Sequence, residues 1–112
     1  MKMLRCVIQP YRLDDLRAAL EGIGLQGMTV HEVKGHGRQK GHKELYRGSE
    51  YHVSFLPKIM LEIATPANRV EEVAAKIIAT VRTGKIGDGK IFISSLDDVI
   101  RIRTGERGLD AL

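Results

Sequence analysis

Cysteine occurs once in this chain, at Cys6. That excludes an intrachain disulfide framework and favours a reducing compartment. Aromatic residues make up 4% of the sequence against 43% hydrophobic residues overall, so the core must be aliphatic. No apolar run approaches the length of a bilayer span, and the opening residues MKMLRCVIQPYRLDD hold no long apolar stretch and no small-residue cleavage site. A soluble, cytoplasmic protein is expected. Like charges never run to five or six in a row, which argues against a dedicated nucleic-acid tail. The histidines His31, His36, His42 and His52 lack tight metal-ligand spacing. No Ser–His–Asp arrangement or carboxylate pair forms a convincing catalytic set. The neighbours Asp14-Asp15, Glu71-Glu72 and Asp97-Asp98 fit helix starts or solvated faces.

What is present suits a single domain over residues 1–112, a length that buries roughly two thirds of its unfolded surface. The net charge of +4 favours anionic partners, and its scatter among acidic residues points to small anions. Leu4 to Ile8 alternate as a strand, with Leu4, Cys6 and Ile8 on one face and Arg5 and Val7 on the other. After Pro10, the spacing of Leu13, Leu16, Leu20 and Ile23 predicts an amphipathic helix. Asp14 and Asp15 suit its start, and Gly22 and Gly24 its end. Met28 to Val33 reads as a second strand and Ile59 to Ala64 as a third. Pro66 ends the third strand. Asn68 with Glu71 offers a capping box for a second helix, whose buried stripe is Val70, Val73, Ala74, Ile77, Ile78 and Val81 and whose stop is Gly84. Ile91 to Ile93 is a fourth strand. Ile100 and Ile102, alternating with Arg101 and Arg103, suggest a further short C-terminal strand with a cationic outer face.

The order is βαβ, loop, βαβ, and the two halves echo each other weakly: Pro10 precedes Leu13-Asp14-Asp15-Leu16 as Pro66 precedes Val70-Glu71-Glu72-Val73. Two split βαβ units predict an α+β fold, a ferredoxin-like βαββαβ sandwich with both helices on one sheet face. The other face, carrying Met60 and Ala64, would be left open, so an oligomer is expected.

Two segments could carry function. Gly35 to Lys58 is too polar and glycine-rich for a core element, and a connection of about two dozen residues between strands is usually a linker or functional. Thr83 to Lys90, TGKIGDGK, meets most of a phosphate-loop pattern, but Ile91 stands where Ser or Thr is required and helix precedes strand. It is not that motif. It remains open between a plain turn and a glycine turn that admits a phosphate to backbone N–H groups, with Lys85 and Lys90 adding charge. Arg101 and Arg103 alone read as a solvated edge with surface ion pairs. Together with Arg38, Lys40, Lys58, Lys85 and Lys90 they would suffice for a triphosphate if they converged.

The segments EVKGHGRQKGHKELYRGSEY, FLPK, TGKIGDGKIF and VIRIRTGE, in this order, resemble the PII nitrogen-regulatory signal-transduction proteins over nearly the whole chain. The resemblance implies a ferredoxin-like homotrimer that binds ATP or ADP between subunits and 2-oxoglutarate with Mg-ATP. A long T-loop, about residues 37–55 here, would dock onto targets. Carried over by position, Gly87, Asp88, Gly89 and Lys90 match the turn over the phosphates, with Arg38 nearby and Arg101 and Arg103 from the adjoining subunit. Val7, Thr29, Gly35, Glu62 and Ala64 fall where the family surrounds adenine and ribose. Gln39 matches the ligand of Mg2+ and 2-oxoglutarate, Lys58 and Gly87 face the oxoglutarate, and Gly37 and Gly41 let the loop base fold round it. Tyr51 matches a uridylylated tyrosine and Ser49 a phosphorylated serine, and the sequence does not choose between them. His36 stands where an aromatic or apolar residue is usual, and Val7, Ala64 and Thr65 where larger apolar residues are common. Implied partners are an ammonium channel, a uridylyltransferase, glutamine synthetase control enzymes or a histidine kinase.

A regulator and not an enzyme is therefore the leading expectation. A phosphotransfer enzyme with a loop histidine as acceptor, or a basic nucleic-acid-binding module, is the alternative. The absence of a base set counts against the first, and interleaved acids and scarce aromatics against the second.

Overall fold

Alternation along the apolar segments decides which side of the sheet each residue faces. The computed structural model describes residues 1–37, 43–46, 49–52 and 55–112, with side chains described for residues 1–37 and 55–112. Strands β1 (Lys2–Ile8), β2 (Thr29–Gly35), β5 (Leu56–Thr65) and β6 (Lys90–Ser95) form an antiparallel sheet in the order β2-β5-β1-β6. Helices α1 (Leu13–Gly22) and α2 (Val70–Val81) cover one face, completing the expected ferredoxin-like α+β sandwich. Between β2 and β5 the chain also makes a two-stranded ribbon, β3 (Lys43–Tyr46) with β4 (Ser49–His52). The sequence pattern predicts loop throughout this stretch, and the ribbon is the difference.

On the helix side Leu4, Cys6, Ile8, Leu61 and Ile63 are no more than 1% exposed, so the sheet's alternation is as strict as the sequence predicts. Leu16 and Leu20 of α1, and Val70, Val73, Ile77 and Val81 of α2, close over them, while Ala74 is half-buried and Ile78 exposed at the edge of its stripe. Each fully buried aliphatic side chain is worth about 1.5–3 kcal/mol. The opposite face keeps Arg5, Met60, Glu62 and Ala64 partly open and leaves Phe92 exposed. Burial pushes the Cys6 thiol up to about 11, so it is an inert core residue.

The internal repeat proves physical. A 3-10 turn leads into each helix, Pro10–Arg12 before α1 and Ala67–Arg69 before α2, and ends in an arginine that stands just before the helix. Arg12 pairs with Asp15 and donates to the Thr80 carbonyl in the last turn of α2. Arg69 pairs with Glu72 and donates to the Ile23 carbonyl at the end of α1, at 2.6 Å. Each helix start thus holds the other helix's end, where carbonyls lack partners and carry the negative end of the dipole.

Three local expectations fail. Asn68 makes no capping box with Glu71, because the backbone of Pro66 starts the 3-10 turn, accepting from the Arg69 amide at 3.0 Å, and Arg69 takes the cap position without a side-chain bond. Gly84 does not end α2. Arg82 is already extended, and the freed amides that follow bond to Asp88 instead. Residues 100–103 are not a strand. The tail turns back at Gly105, whose φ is +74°, and a single bridge joins Ile100 to Arg107. The Arg101 amide is satisfied by Glu106 O at 2.9 Å, within the tail itself and not by a sheet partner.

Replacing Arg69 by methionine keeps the apolar stem and removes the donors. Urea unfolding should show a loss of about 1 kcal/mol, the usual scale of a part-exposed charged hydrogen bond. An unchanged midpoint would mean that this tie holds nothing.

Candidate functional site

The turn between α2 and β6 is built by one carboxylate. Asp88 accepts from the Thr83 amide at 2.8 Å, the Gly84 amide at 2.9 Å and the Thr83 hydroxyl. The Thr83 hydroxyl and these amides hold the Asp88 carboxyl below its ordinary range. Next to it Gly89 has φ +103°, and a Cβ there would lie 1.7 Å from the Val7 carbonyl oxygen. Only glycine lets the turn lie directly on β1.

Lys58, near the start of β5, is 8% exposed, and its ammonium donates to the Gly87 carbonyl at 3.2 Å. Burial lowers its pKa, and the charge of Asp88 partly opposes this. A Cβ on Gly35 would meet the Lys58 stem at 3.2 Å, so the glycine at the end of β2 makes room for this lysine. Beyond it the His36 ring leans on Phe55, with centroids 5.5 Å apart, which joins the two ends of the long connection.

These parts enclose a cleft of about 790 Å³ lined by Val7, Gly35, His36, Gly37, Leu56, Lys58, Lys85, Ile86, Gly87, Asp88, Gly89, Lys90 and Phe92. Nine of these, namely Val7, Gly35, Gly37, Lys58, Lys85, Gly87, Asp88, Gly89 and Lys90, are among the residues expected from sequence. Three lysines face one aspartate, and that aspartate is already engaged by the turn. The size suits a small-molecule site and the charge suits a phosphate or carboxylate.

Thr29, Glu62, Ala64 and Arg101 lie elsewhere, in a second cleft of about 880 Å³ that shares no lining residue with the first. Here Glu62 accepts from Arg5 Nε at 3.1 Å and lies 2.6 Å from His31 Nε2. The His31 contact, with the Arg5 bond and charge beside it, keeps the Glu62 carboxyl below its ordinary range. Arg101 pairs with Glu106 at 2.7 Å, and Arg103 is exposed in the tail turn and lines no described cleft. Arg38, Gln39 and Gly41 lie outside the described residues. Ser49 and Tyr51 fall on β4, with their side chains outside the described ones.

Sequence reasoning missed three features. The Thr83–Asp88 closure was signalled by a hydroxyl and a carboxylate flanking the glycines. The His36–Phe55 contact and the His31–Glu62–Arg5 cluster had no local signal, because strand register creates them.

A ferredoxin-like α+β scaffold with a cation-lined cleft at the foot of a long connection is the class of protein that this geometry defines. The family model described as "Nitrogen regulatory protein P-II" matches residues 1–106. Relatives named "Nitrogen regulatory protein P-II" from Rhizobium etli, Rhizobium meliloti and Haemophilus influenzae are 55%, 54% and 54% identical over 112 residues, covering the whole of each chain. The chain belongs to the P-II family of nitrogen regulatory proteins. Among the described residues, no helix is long and apolar enough to cross a membrane.

Gly89→Ala places a methyl group against the Val7 carbonyl at a backbone conformation alanine avoids. A destabilisation of at least about 2 kcal/mol is expected in chemical unfolding. A variant of unchanged stability would show that the turn does not need its seat on β1.

Proposed function

We propose that this chain is a nitrogen-status signal transducer, a regulator and not an enzyme. It binds ATP or ADP and, with Mg2+, 2-oxoglutarate, and it presents residues 37–55 to target proteins. The observation that carries this reading is the gathering of Lys58, Lys85 and Lys90 with the Gly87–Gly89 backbone in one cleft at the foot of that segment. The cleft fits phosphate and carboxylate oxygens by charge and by the close backbone approach of the glycines.

In this reading Gly87, Asp88, Gly89 and Lys90 hold the phosphates with Arg38. Lys58, Gly87, Gly37, Gln39 and Gly41 hold the oxoglutarate, and Gln39 also holds the Mg2+. Val7, Thr29, Gly35, Glu62 and Ala64 surround adenine and ribose. The division of these residues between two clefts of one chain supports a homotrimer in which one protomer's second cleft, lined by Arg101, and Arg103 of its tail turn close over its neighbour's first. The targets are those of the family resemblance: an ammonium channel, a uridylyltransferase, glutamine synthetase control enzymes or a histidine kinase. The setting is cytoplasmic.

A switch of this kind requires the two ligands to change each other's affinity reciprocally. Calorimetry with Mg-ATP should reveal 2-oxoglutarate binding that depends on nucleotide, and Lys58→Met should weaken the oxoglutarate step at least about tenfold, one charged contact being worth 1.5–3 kcal/mol. Oxoglutarate binding that ignores nucleotide, or no binding of either, overturns the proposal.

Tyr51 is the proposed uridylylation site and Ser49 the alternative for phosphorylation. Mass analysis of protein from nitrogen-starved cells should find a uridylyl adduct on Tyr51, lost in Tyr51→Phe. An adduct on Ser49, or none, refutes the tyrosine.

A further inference from the structure

The cluster on the open sheet face has a use beyond holding β2 to β5. Glu62 lies directly opposite Thr29 on β2 and Arg5 on β1, and His31 reaches it diagonally, from the position opposite Met60. The two neighbours divide the carboxylate: His31 Nε2 lies 2.6 Å from one oxygen, and Arg5 Nε donates to the other at 3.1 Å. A carboxylate only accepts, so Nε2 carries the proton in this contact whether the ring is neutral or charged. Each Glu62 oxygen keeps a lone pair for a donor in the second cleft, which Glu62 lines with Thr29 and Ala64.

We propose that His31 is a positioning residue for Glu62, and that its protonation tightens nucleotide binding at the adenine and ribose end. This rests on the nucleotide reading above. When the imidazole is protonated its bond to Glu62 becomes charge-assisted, which fixes the carboxylate more firmly. The same charge offsets the repulsion between Glu62 and an anionic ligand. Other charges share this face, among them Arg5, on the carboxylate's second oxygen, and Lys58, opposite Val33, whose ammonium donates to the Gly87 carbonyl. Glu32 and Lys34 on β2 fall on the opposite face by alternation, and the neighbours of Glu62 on its own face are Met60 and Ala64. On β1 the same face carries Met3 and Val7 beside Arg5. Arg69 and Arg101 line the cleft but pair with Glu72 and Glu106. Among the described residues His31 is the imidazole on this face, the side-chain type suited to answer to pH.

The sign follows from linkage. Nucleotide favours the protonated ring, so affinity rises as pH falls through the imidazole range. The test is ADP binding by calorimetry on the full chain at about pH 5.5 to pH 8, spanning the imidazole range. It compares the natural protein with His31→Gln, which keeps a donor without the charge, and His31→Asn as a second variant. The affinity ratio of natural protein to variant should grow from near unity at the alkaline end to about threefold at the acid end, the scale of one part-exposed charge pair. Independently, the His31 imidazole followed by NMR should titrate at lower pH in Glu62→Gln. ADP binding with a ratio flat across pH, or an imidazole titration unmoved by Glu62→Gln, overturns the inference alone. Failure of the natural protein to bind ADP at any pH removes the nucleotide reading and this inference with it.

Discussion

Strand β5 is the constraint on which the rest of the molecule depends. It pairs with β2 from Leu56 to Glu62 and with β1 from Ile59 to Thr65, so its middle, Ile59 to Glu62, is paired on both sides. Its odd-numbered residues Ile59, Leu61, Ile63 and Thr65 face the helices, and its even-numbered residues Lys58, Met60, Glu62 and Ala64 face the open side. The core and both clefts are therefore two faces of one alternation. A slip of a single residue would bury Glu62 under α1 and α2 and expel Leu61. Pairing along both edges makes such a slip costly, since every rung would have to move at once.

The two helices are held to each other by a second, symmetrical device. Arg12 and Arg69 occupy equivalent places in the two βα units, each bonded to an acid one turn on and to a carbonyl at the far end of the other helix. Neither bond is worth much alone at the surface. Their value lies in geometry: because α1 and α2 run antiparallel, the two ties fix their relative slide from both ends. That slide matters for the site, because the end of α2 sets where the turn from Arg82 to Gly89 begins.

What could be read from the chain, and what could not, divides along sequence distance. The stripe of Leu16 and Leu20, the alternation of Leu4, Cys6 and Ile8, and the glycine turn at 87–89 are periodic or local signals, and all three stand in the structure. The capping box at Asn68 was a local signal that lost to another, the 3-10 turn started at Pro66. The C-terminal strand misled because alternation of Ile100, Arg101, Ile102 and Arg103 is satisfied equally well by a strand or by an exposed turn, and Ile102 is fully exposed. The loop ribbon, KELY with SEYH, hid because its sequence offers no apolar alternation for a pattern to detect. The His31–Glu62 contact joins residues 31 apart, and only the β2–β5 register brings it into being.

The exposed apolar groups and the divided site make one argument. Phe92 is 54% exposed on the open sheet face, and Ile102 stands wholly in water in the tail turn. Contact with another copy would remove the cost of leaving such groups in water. In the proposed homotrimer the same contact would bring Arg101 and Glu62 of one protomer toward Lys58, Lys90 and Gly89 of the next. Nucleotide affinity and assembly would then be linked, because a ligand held by two protomers stabilises their association by RT ln(1 + L/Kd), where L is the free ligand concentration. His31, acting on Glu62, would stand where the ligand meets the interface, so a proton taken up there would be felt by both.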